Sequence, residues 1–381
     1  MWEMINNRRV ICGVDKINEI PGIIQWYGLK KVFFAVYNRN APICNTICKL
    51  LMESGLEFVI YDAIQSEPDL HMINLGRDLF VESNCDCTLA IGGGSVIDTA
   101  KAIGMLAVNG GLVEEYQMNG KEVRKTPPLY IAVPTTAGTG AEATKVSVVK
   151  NNYNGLKKSL YHTTMIADIT ILDPALSTGL NAKITAATGI DALSHAIESY
   201  VSLNANPLTE IYGIKAIELI HGALEIACKD PNNLKARGDM LLASYLGGCA
   251  ISAGIGIAHI MAQPIGAMYD IPHGDACSIF LPLSMEYNLK HSQVKYAKIA
   301  FALGVGNSEN SDIENGKTAI AEIKRLRSAI NAPDSLVPYL GDEKPDLDQV
   351  VETIRRTTGH IVCNPRPVNQ ETYRNMFLAA C

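Results

Sequence analysis

Short apolar runs alternating with helix-period segments constrain this chain more than any other feature. Lys31-Val32-Phe33-Phe34-Ala35-Val36-Tyr37, Leu56-Glu57-Phe58-Val59-Ile60-Tyr61, Cys87-Thr88-Leu89-Ala90-Ile91 and Leu129-Tyr130-Ile131-Ala132-Val133-Pro134 end in polar or glycine-rich loops, as buried parallel strands do. Amphipathic stretches, one around Met72 to Val81, separate them. Strands spaced by helices pair through crossovers, so a parallel, doubly wound, Rossmann-like sheet is expected. Ile166 to Pro174 reads as its last strand. From Asn181 onward strand signals fade, and helical periods dominate over 182–201, 207–228, 234–255, 274–289, 293–303, 315–330, 346–356 and 370–380.

A chain of 381 residues exceeds the size at which one core usually keeps growing. The change of character therefore marks a boundary near 178–182: an α/β domain over 1–180 and an all-helical domain over 181–381. A net charge of -6 offers no basic footprint for nucleic acid. The charged start Met1 to Arg9 lacks the apolar run of a signal peptide, and no apolar run reaches about 18 residues, so a cytoplasmic protein without a membrane span is expected. Ten cysteines are too dilute for a disulfide framework; they read as buried thiols and are assigned no chemistry.

Two loops carry a nucleotide signal. Gly92-Gly93-Gly94-Ser95-Val96-Ile97-Asp98-Thr99-Ala100-Lys101 opens a helix at the carboxyl end of a strand, where backbone amides and the helix N-terminus favour a pyrophosphate. It is neither GxGxxG nor a Walker A loop, and a tight turn without ligand is the alternative. Thr135, Thr136 and Thr139, with Gly138 and Gly140, supply donors at the end of the next strand; a threonine-rich helix cap is the alternative there.

A third signal is the stretch Gly189 to Glu198. Asp191 and His195 are four residues apart and project from one helix face. His259 and His273 lie in glycine-rich surroundings, the latter in Pro272-His273-Gly274. One carboxylate and three imidazoles suit Fe(II) or Zn(II), whereas a buried Asp–His pair without metal is the bland alternative. His71, His162, His221, His291 and His360 read as structural or exposed.

These pieces together resemble the iron-dependent (group III) alcohol dehydrogenase family over nearly the whole chain. The resemblance implies NAD or NADP, and a divalent metal held by Asp191, His195, His259 and His273 on the helical side. Such a cation acidifies an alcohol, whose carbon then passes hydride to the nicotinamide. Gly92, Gly93, Gly94, Ser95, Asp98, Lys101, Thr135, Thr136 and Thr139 are then expected at the nucleotide. The resemblance also puts Lys157 near the ribose, where a solvated surface lysine is the alternative. A dimer is the family habit.

Two departures bear on mechanism. Many members carry a further histidine four residues after the third ligand, where this chain has Gln263, and glutamine cannot exchange a proton near neutral pH. NAD-using relatives often place an acid at the end of the strand where this chain has Tyr37-Asn38-Arg39, so Arg39 is available to pair with a 2′-phosphate. The glycine-serine pattern of many NADP users is also missing, and NAD is favoured slightly. Met261, Met268, Tyr269, Ile257 and Ala258 suggest an apolar lining for a short primary alcohol or aldehyde. The segments 201–207 and 263–266 loosely resemble members acting on ω-hydroxy acids. Two alternatives share the architecture: a dehydroquinate-synthase-like lyase, disfavoured because 245–280 holds no Lys or Arg for a phosphate substrate, and a zinc glycerol-dehydrogenase type. A scaffold that had lost catalysis would show broken ligands.

Overall fold

The computed structural model describes residues 2–64, 67–117, 120–153, 157–341, 345–358 and 363–381, with the side chains of 157, 158, 357 and 358 outside the description. It divides into two compact units. One comprises 3–136 and 140–178, and the other 137–139 and 179–381, with Trp2 also in the latter.

In the first unit, β1 (Arg9–Cys12), β2 (Lys31–Val36), β3 (Glu57–Tyr61), β4 (Cys87–Gly92), β5 (Leu129–Pro134) and β8 (Ile169–Leu172) form a six-stranded sheet in the order β1-β8-β5-β4-β2-β3. Every described pairing in it is parallel. The helices α1 (Ile20–Trp26), α2 (Pro42–Glu53), α3 (Leu70–Glu82), α4 (Gly94–Asn109) and the short α5 (Val113–Tyr116) accompany it. Alternation along each strand divides two cores. Phe33, Ala35, Ala90, Tyr130 and Ala132 pack with Ile73, Phe80, Ile97 and Ile103. Val32, Phe34, Val36, Leu89, Ile91, Ile131 and Val133 pack with Ile20, Ile24, Ile47 and Leu51. A strand buried on both faces reads as a continuous apolar run, the signal on which its assignment rested. Each fully buried Phe or Ile contributes about 1.5–3 kcal/mol.

The chain leaves β2 for β3 on one side and returns to β4 on the other. The carboxyl ends of β2 and β4 therefore flank the topological switch point, where open α/β sheets bind ligands. The antiparallel pair β6 (Val146–Lys150) and β7 (Lys157–Tyr161) was not anticipated. Its alternation is weak, and a lysine-rich second strand conceals it.

Every regular element described in the second unit is helical: α6 (Ala182–Val201), α7 (Pro207–Lys229), α8 (Leu234–Ala250), α9 (Ile257–Tyr269), α10 (His273–Asn288), α11 (Gln293–Ala302), α12 (Asp312–Ala329), α13 (Val337–Leu340), α14 (Leu347–Thr358) and α15 (Gln370–Ala380), with short 3-10 turns. Asn181 starts α6 by accepting from Ile184 N at 2.8 Å, a conventional N-cap. From Gly189 to Val201 every residue of α6 is buried, because the helix packs against α7, α8 and α10. Polar side chains there must find partners inside the protein. Among the described residues no single helix is long and apolar enough to cross a membrane.

The helix α9 corrects the sequence reading, in which one helical period runs through 234–255 and His259 lies in a glycine-rich segment with no helix assigned. Gly254 breaks the chain with a φ of 84°, and a new helix starts at Ile257 with Pro264 inside it. Glycine before and proline within obscured its period.

Candidate metal centre and nucleotide loops

Three polar side chains of α6 share a face, since Asp191, His195 and Glu198 are four and three residues apart. All are buried, at 4%, 8% and 2% exposure. Glu198 has no role in the sequence reading, although its spacing from His195 puts it on the same helix face. Its Oε2 lies 2.7 Å from His259 Nδ1. Its two oxygens also accept from Ala258 N at 2.7 Å and His259 N at 3.4 Å, and Ser284 Oγ donates to Oε1 at 3.3 Å. One carboxylate thus caps the start of α9 and orients the imidazole in its first turn. With Nδ1 held by Glu198, His259 turns its Nε2 into the cluster.

That Nε2 is buried and makes no hydrogen bond. It points at Asp191 Oδ1, 3.4 Å away. His273 Nε2 lies 3.5 Å and His195 Nε2 3.7 Å from the same oxygen, so the four expected donors converge. Bonds of about 2.0–2.1 Å at tetrahedral angles hold neighbouring donors roughly 3.3–3.4 Å apart. A buried Nε2 without a hydrogen-bond partner and this spacing fit a divalent cation. The imidazole rings of His195 and His259 stack with centroids 4.4 Å apart.

Charge in the cluster follows from burial and proximity. Burial alone would raise Asp191, yet His195 foremost, then His259 and His273, hold it well below the usual carboxylate range. Burial drives His195 down to about 4 despite Asp191, which leaves it neutral at pH 7. Cys277 first, then Asp191, pushes His273, whose side chain is 43% exposed, up to about 9.

Cys277 was expected to be an inert core thiol. The structure instead places it one turn after His273 on α10, with Sγ 3.6 Å from His273 Nε2 and 3.7 Å from Asp191 Oδ1. The donor atoms of Asp191, His259, His273 and Cys277 all lie within 4.8 Å of one another.

Close backbone approach makes this geometry possible. A Cβ at Gly274 would lie 2.1 Å from Ala187 O, and one at Gly256 would lie 2.7 Å from Glu198 Oε1. Only glycine lets the starts of α10 and α9 come this near α6. Replacing Glu198 with glutamine is expected to weaken divalent-metal affinity by about 10–100-fold, the usual cost of losing a carboxylate behind a histidine ligand. Competition titration against a chromophoric chelator measures it, and unchanged affinity would remove Glu198 from the site.

Gln263 sits half-buried on α9, one turn beyond His259. Of the apolar residues expected at the substrate, Ile257, Ala258 and Met261 are fully buried; Met268 and Tyr269 are half-buried at the far end of the helix. His221 pairs with Glu322 at 2.8 Å, and His162 with Thr164 Oγ1 at 2.8 Å. His71 and His291 are exposed, and His360 lies outside the described residues.

In the first unit, Gly93 precedes α4 as an N-cap without a side-chain bond. The amides of Gly94 and Ser95 open the helix while Val96 N and Ile97 N return to Gly93 O at 3.1 Å. The adjoining strand end is locked to this loop by Thr135 N donating to Gly92 O at 3.0 Å. A Cβ on Gly93 would lie 3.3 Å from Thr136 Oγ1. Gly92, Gly93, Gly94, Ser95, Thr135 and Thr136 thus form one surface at the end of β4 and β5. Thr139 is exposed and belongs to the second unit, and the Lys157 side chain lies outside the description.

Three expected nucleotide contacts are corrected. The Lys101 side chain is fully buried; its Nζ donates to Ala141 O at 2.6 Å, Val146 O at 2.8 Å, Thr144 O at 3.2 Å and Thr144 Oγ1 at 3.3 Å. It also pairs with Asp98 at 3.2 Å, whose Oδ2 accepts from Val148 N at 3.0 Å. Expected at the nucleotide, both side chains instead turn inward, where they tie α4 to β6 and the loop before it. Arg39 is also engaged, with Nε and Nη2 each 2.6 Å from an oxygen of Asp62. Tyr37, beside it at the end of β2, is 56% exposed.

The chain matches two family descriptions: "Iron-containing alcohol dehydrogenase" over residues 7–174 and "Fe-containing alcohol dehydrogenase family, C-terminal" over 185–381. It is 36% identical to the 1,3-propanediol dehydrogenase of Citrobacter freundii, covering 87% of this chain and 85% of that one. It is 32% identical to the NAD-dependent methanol dehydrogenase of Bacillus methanolicus, covering 93% of each. A crystal structure of a 1,3-propanediol oxidoreductase superposes with a TM-score of 0.95 at 33% identity over the whole of both chains. Both halves of the chain are thus matched in sequence and the whole of it in fold, and the chain belongs to the iron-containing alcohol dehydrogenase family.

Proposed function

We propose that this metal-dependent, NAD(P)-linked alcohol dehydrogenase interconverts a short primary alcohol and its aldehyde, with Asp191, His195, His259 and His273 holding a divalent cation, Fe(II) by family habit or Zn(II). The observation that carries the reading is the buried, uncommitted His259 Nε2 facing Asp191 Oδ1. When bound, the cation supplies Lewis acidity at the substrate oxygen, and the nicotinamide supplies or accepts the hydride. Glu198 holds the His259 ring in the tautomer that presents Nε2. Gln263 holds a position from which it donates or accepts a hydrogen bond but exchanges no proton near pH 7, so proton transfer passes through water or a ribose hydroxyl.

The glycine loop at β4 and the threonines at β5 receive the dinucleotide phosphates. NAD is the better fit at the end of β2, because the carboxylate of Asp62 already holds Arg39 and would repel a 2′-phosphate. The names of the relatives, which include propanediol and methanol dehydrogenases, support short alcohols; ω-hydroxy acids are a second substrate class within the same reading. β1 lies at one edge of the sheet and pairs only with β8 among the described strands. That edge suits a homodimer of cytoplasmic enzyme.

A panel of short aldehydes, diols and semialdehydes assayed with NADH and NADPH, with metal content and molar mass measured on the same preparation, tests the reading. Turnover with NADH on the short unbranched aldehydes, and near one metal per chain, is expected. A preparation that binds neither Fe(II) nor Zn(II), or that is fully active without metal, defeats it.

A further inference from the structure

The cluster around Asp191 contains one donor more than the expected four. His195 Nε2 and Cys277 Sγ each lie 3.7 Å from Asp191 Oδ1. Asp191, His259 and His273 are therefore common to two possible sets, one completed by an imidazole and the other by a thiol. Cys277 is completely buried. Its closeness is imposed by helix geometry, since His273 and Cys277 occupy adjacent turns of α10 and face α6 together. An independent feature points at a ligand among these groups: His259, whose side chain is 4% exposed, directs an Nε2 with no hydrogen-bond partner into the cluster.

We propose that Cys277 is a metal donor in this enzyme, supplying sulfur alongside Asp191, His259 and His273, and that it biases the site toward Zn(II) over Fe(II). The proposal rests on the metal-site reading above. Thiolate is the softest donor in the set, and soft donors favour zinc over a cation suited to oxygen and nitrogen alone. As the metal–sulfur bond forms, the thiol proton leaves to solvent, with no change of oxidation state. Cys277 is then a fifth donor added to the four already assigned, with His195 stacked on His259.

The full-length protein, stripped of metal and reloaded with one equivalent of Zn(II), is examined by zinc K-edge X-ray absorption. A sulfur scatterer at about 2.3 Å is expected, and a shell of nitrogen and oxygen alone overturns the proposal. The Co(II)-loaded protein is expected to show a near-ultraviolet thiolate-to-cobalt charge-transfer band that disappears in Cys277→Ser, which still takes up one cobalt. Persistence of the band in that variant assigns the sulfur elsewhere and also overturns it. In competition, Cys277→Ser is expected to lose roughly tenfold or more of its zinc preference over iron, and an unchanged ratio counts against the bias. The absorption measurement needs no variant, so it decides even if Cys277→Ser fails to fold. A wild-type protein that takes up no metal defeats the underlying site, whereas metal held without sulfur defeats only the role of Cys277.

Discussion

Replacing His259 with alanine is expected to lower kcat/KM by about a thousandfold and to leave the chain folded but deficient in metal. Lewis-acid stabilisation of a developing oxyanion is worth several kcal/mol, and about 1.4 kcal/mol is a factor of ten in rate. The change also leaves Glu198 buried at 2% exposure without its imidazole, although Ala258 N and Ser284 still donate to it. Those bonds let the N-terminus of α9 survive. Metal analysis, circular dichroism and steady-state kinetics on one preparation separate the outcomes. A variant with normal turnover would show that the convergence on Asp191 is structural only.

Lys101→Met is expected to cost about 3–5 kcal/mol of stability, the usual result of breaking a buried ion pair from one side. Asp98 would be left without its cation, and the carbonyls of Ala141, Thr144 and Val146 without their donor. Burial already pushes the Asp98 carboxyl up and the Lys101 ammonium down, so each depends on the other to remain charged. Chemical denaturation compared with the KM for NADH distinguishes the two roles considered for this lysine. A variant of unchanged stability whose cofactor KM rises tenfold would restore the phosphate contact.

Much of the fold was legible because it rests on local pattern. β5 falls on Leu129–Pro134 and α6 on Ala182–Val201, as their periods indicate. The hairpin β6–β7 and the helix α9 were not legible. One has weak alternation, and the other begins after Gly254 and contains Pro264. For the site, Asp191 and His195 were visible through their spacing on a single helix. Glu198 shared that face, but its function depends on a partner 61 residues away, which no local pattern encodes.

The sequence by itself determined the class of molecule: a parallel α/β unit with glycine and threonine loops, a helical unit, and residue types able to hold a cation. Only tertiary structure decided which of those residues are available to a ligand. Lys101 and Arg39 looked free in the chain, but Lys101 is buried on Asp98 and backbone carbonyls, and Arg39 engages Asp62 through Nε and Nη2. Cys277 looked inert until helix packing set its sulfur beside Asp191 and His273. The reason is physical: period and composition specify which face a side chain takes on its own element, while the contacts that engage or spare its polar atoms come from other elements distant in sequence.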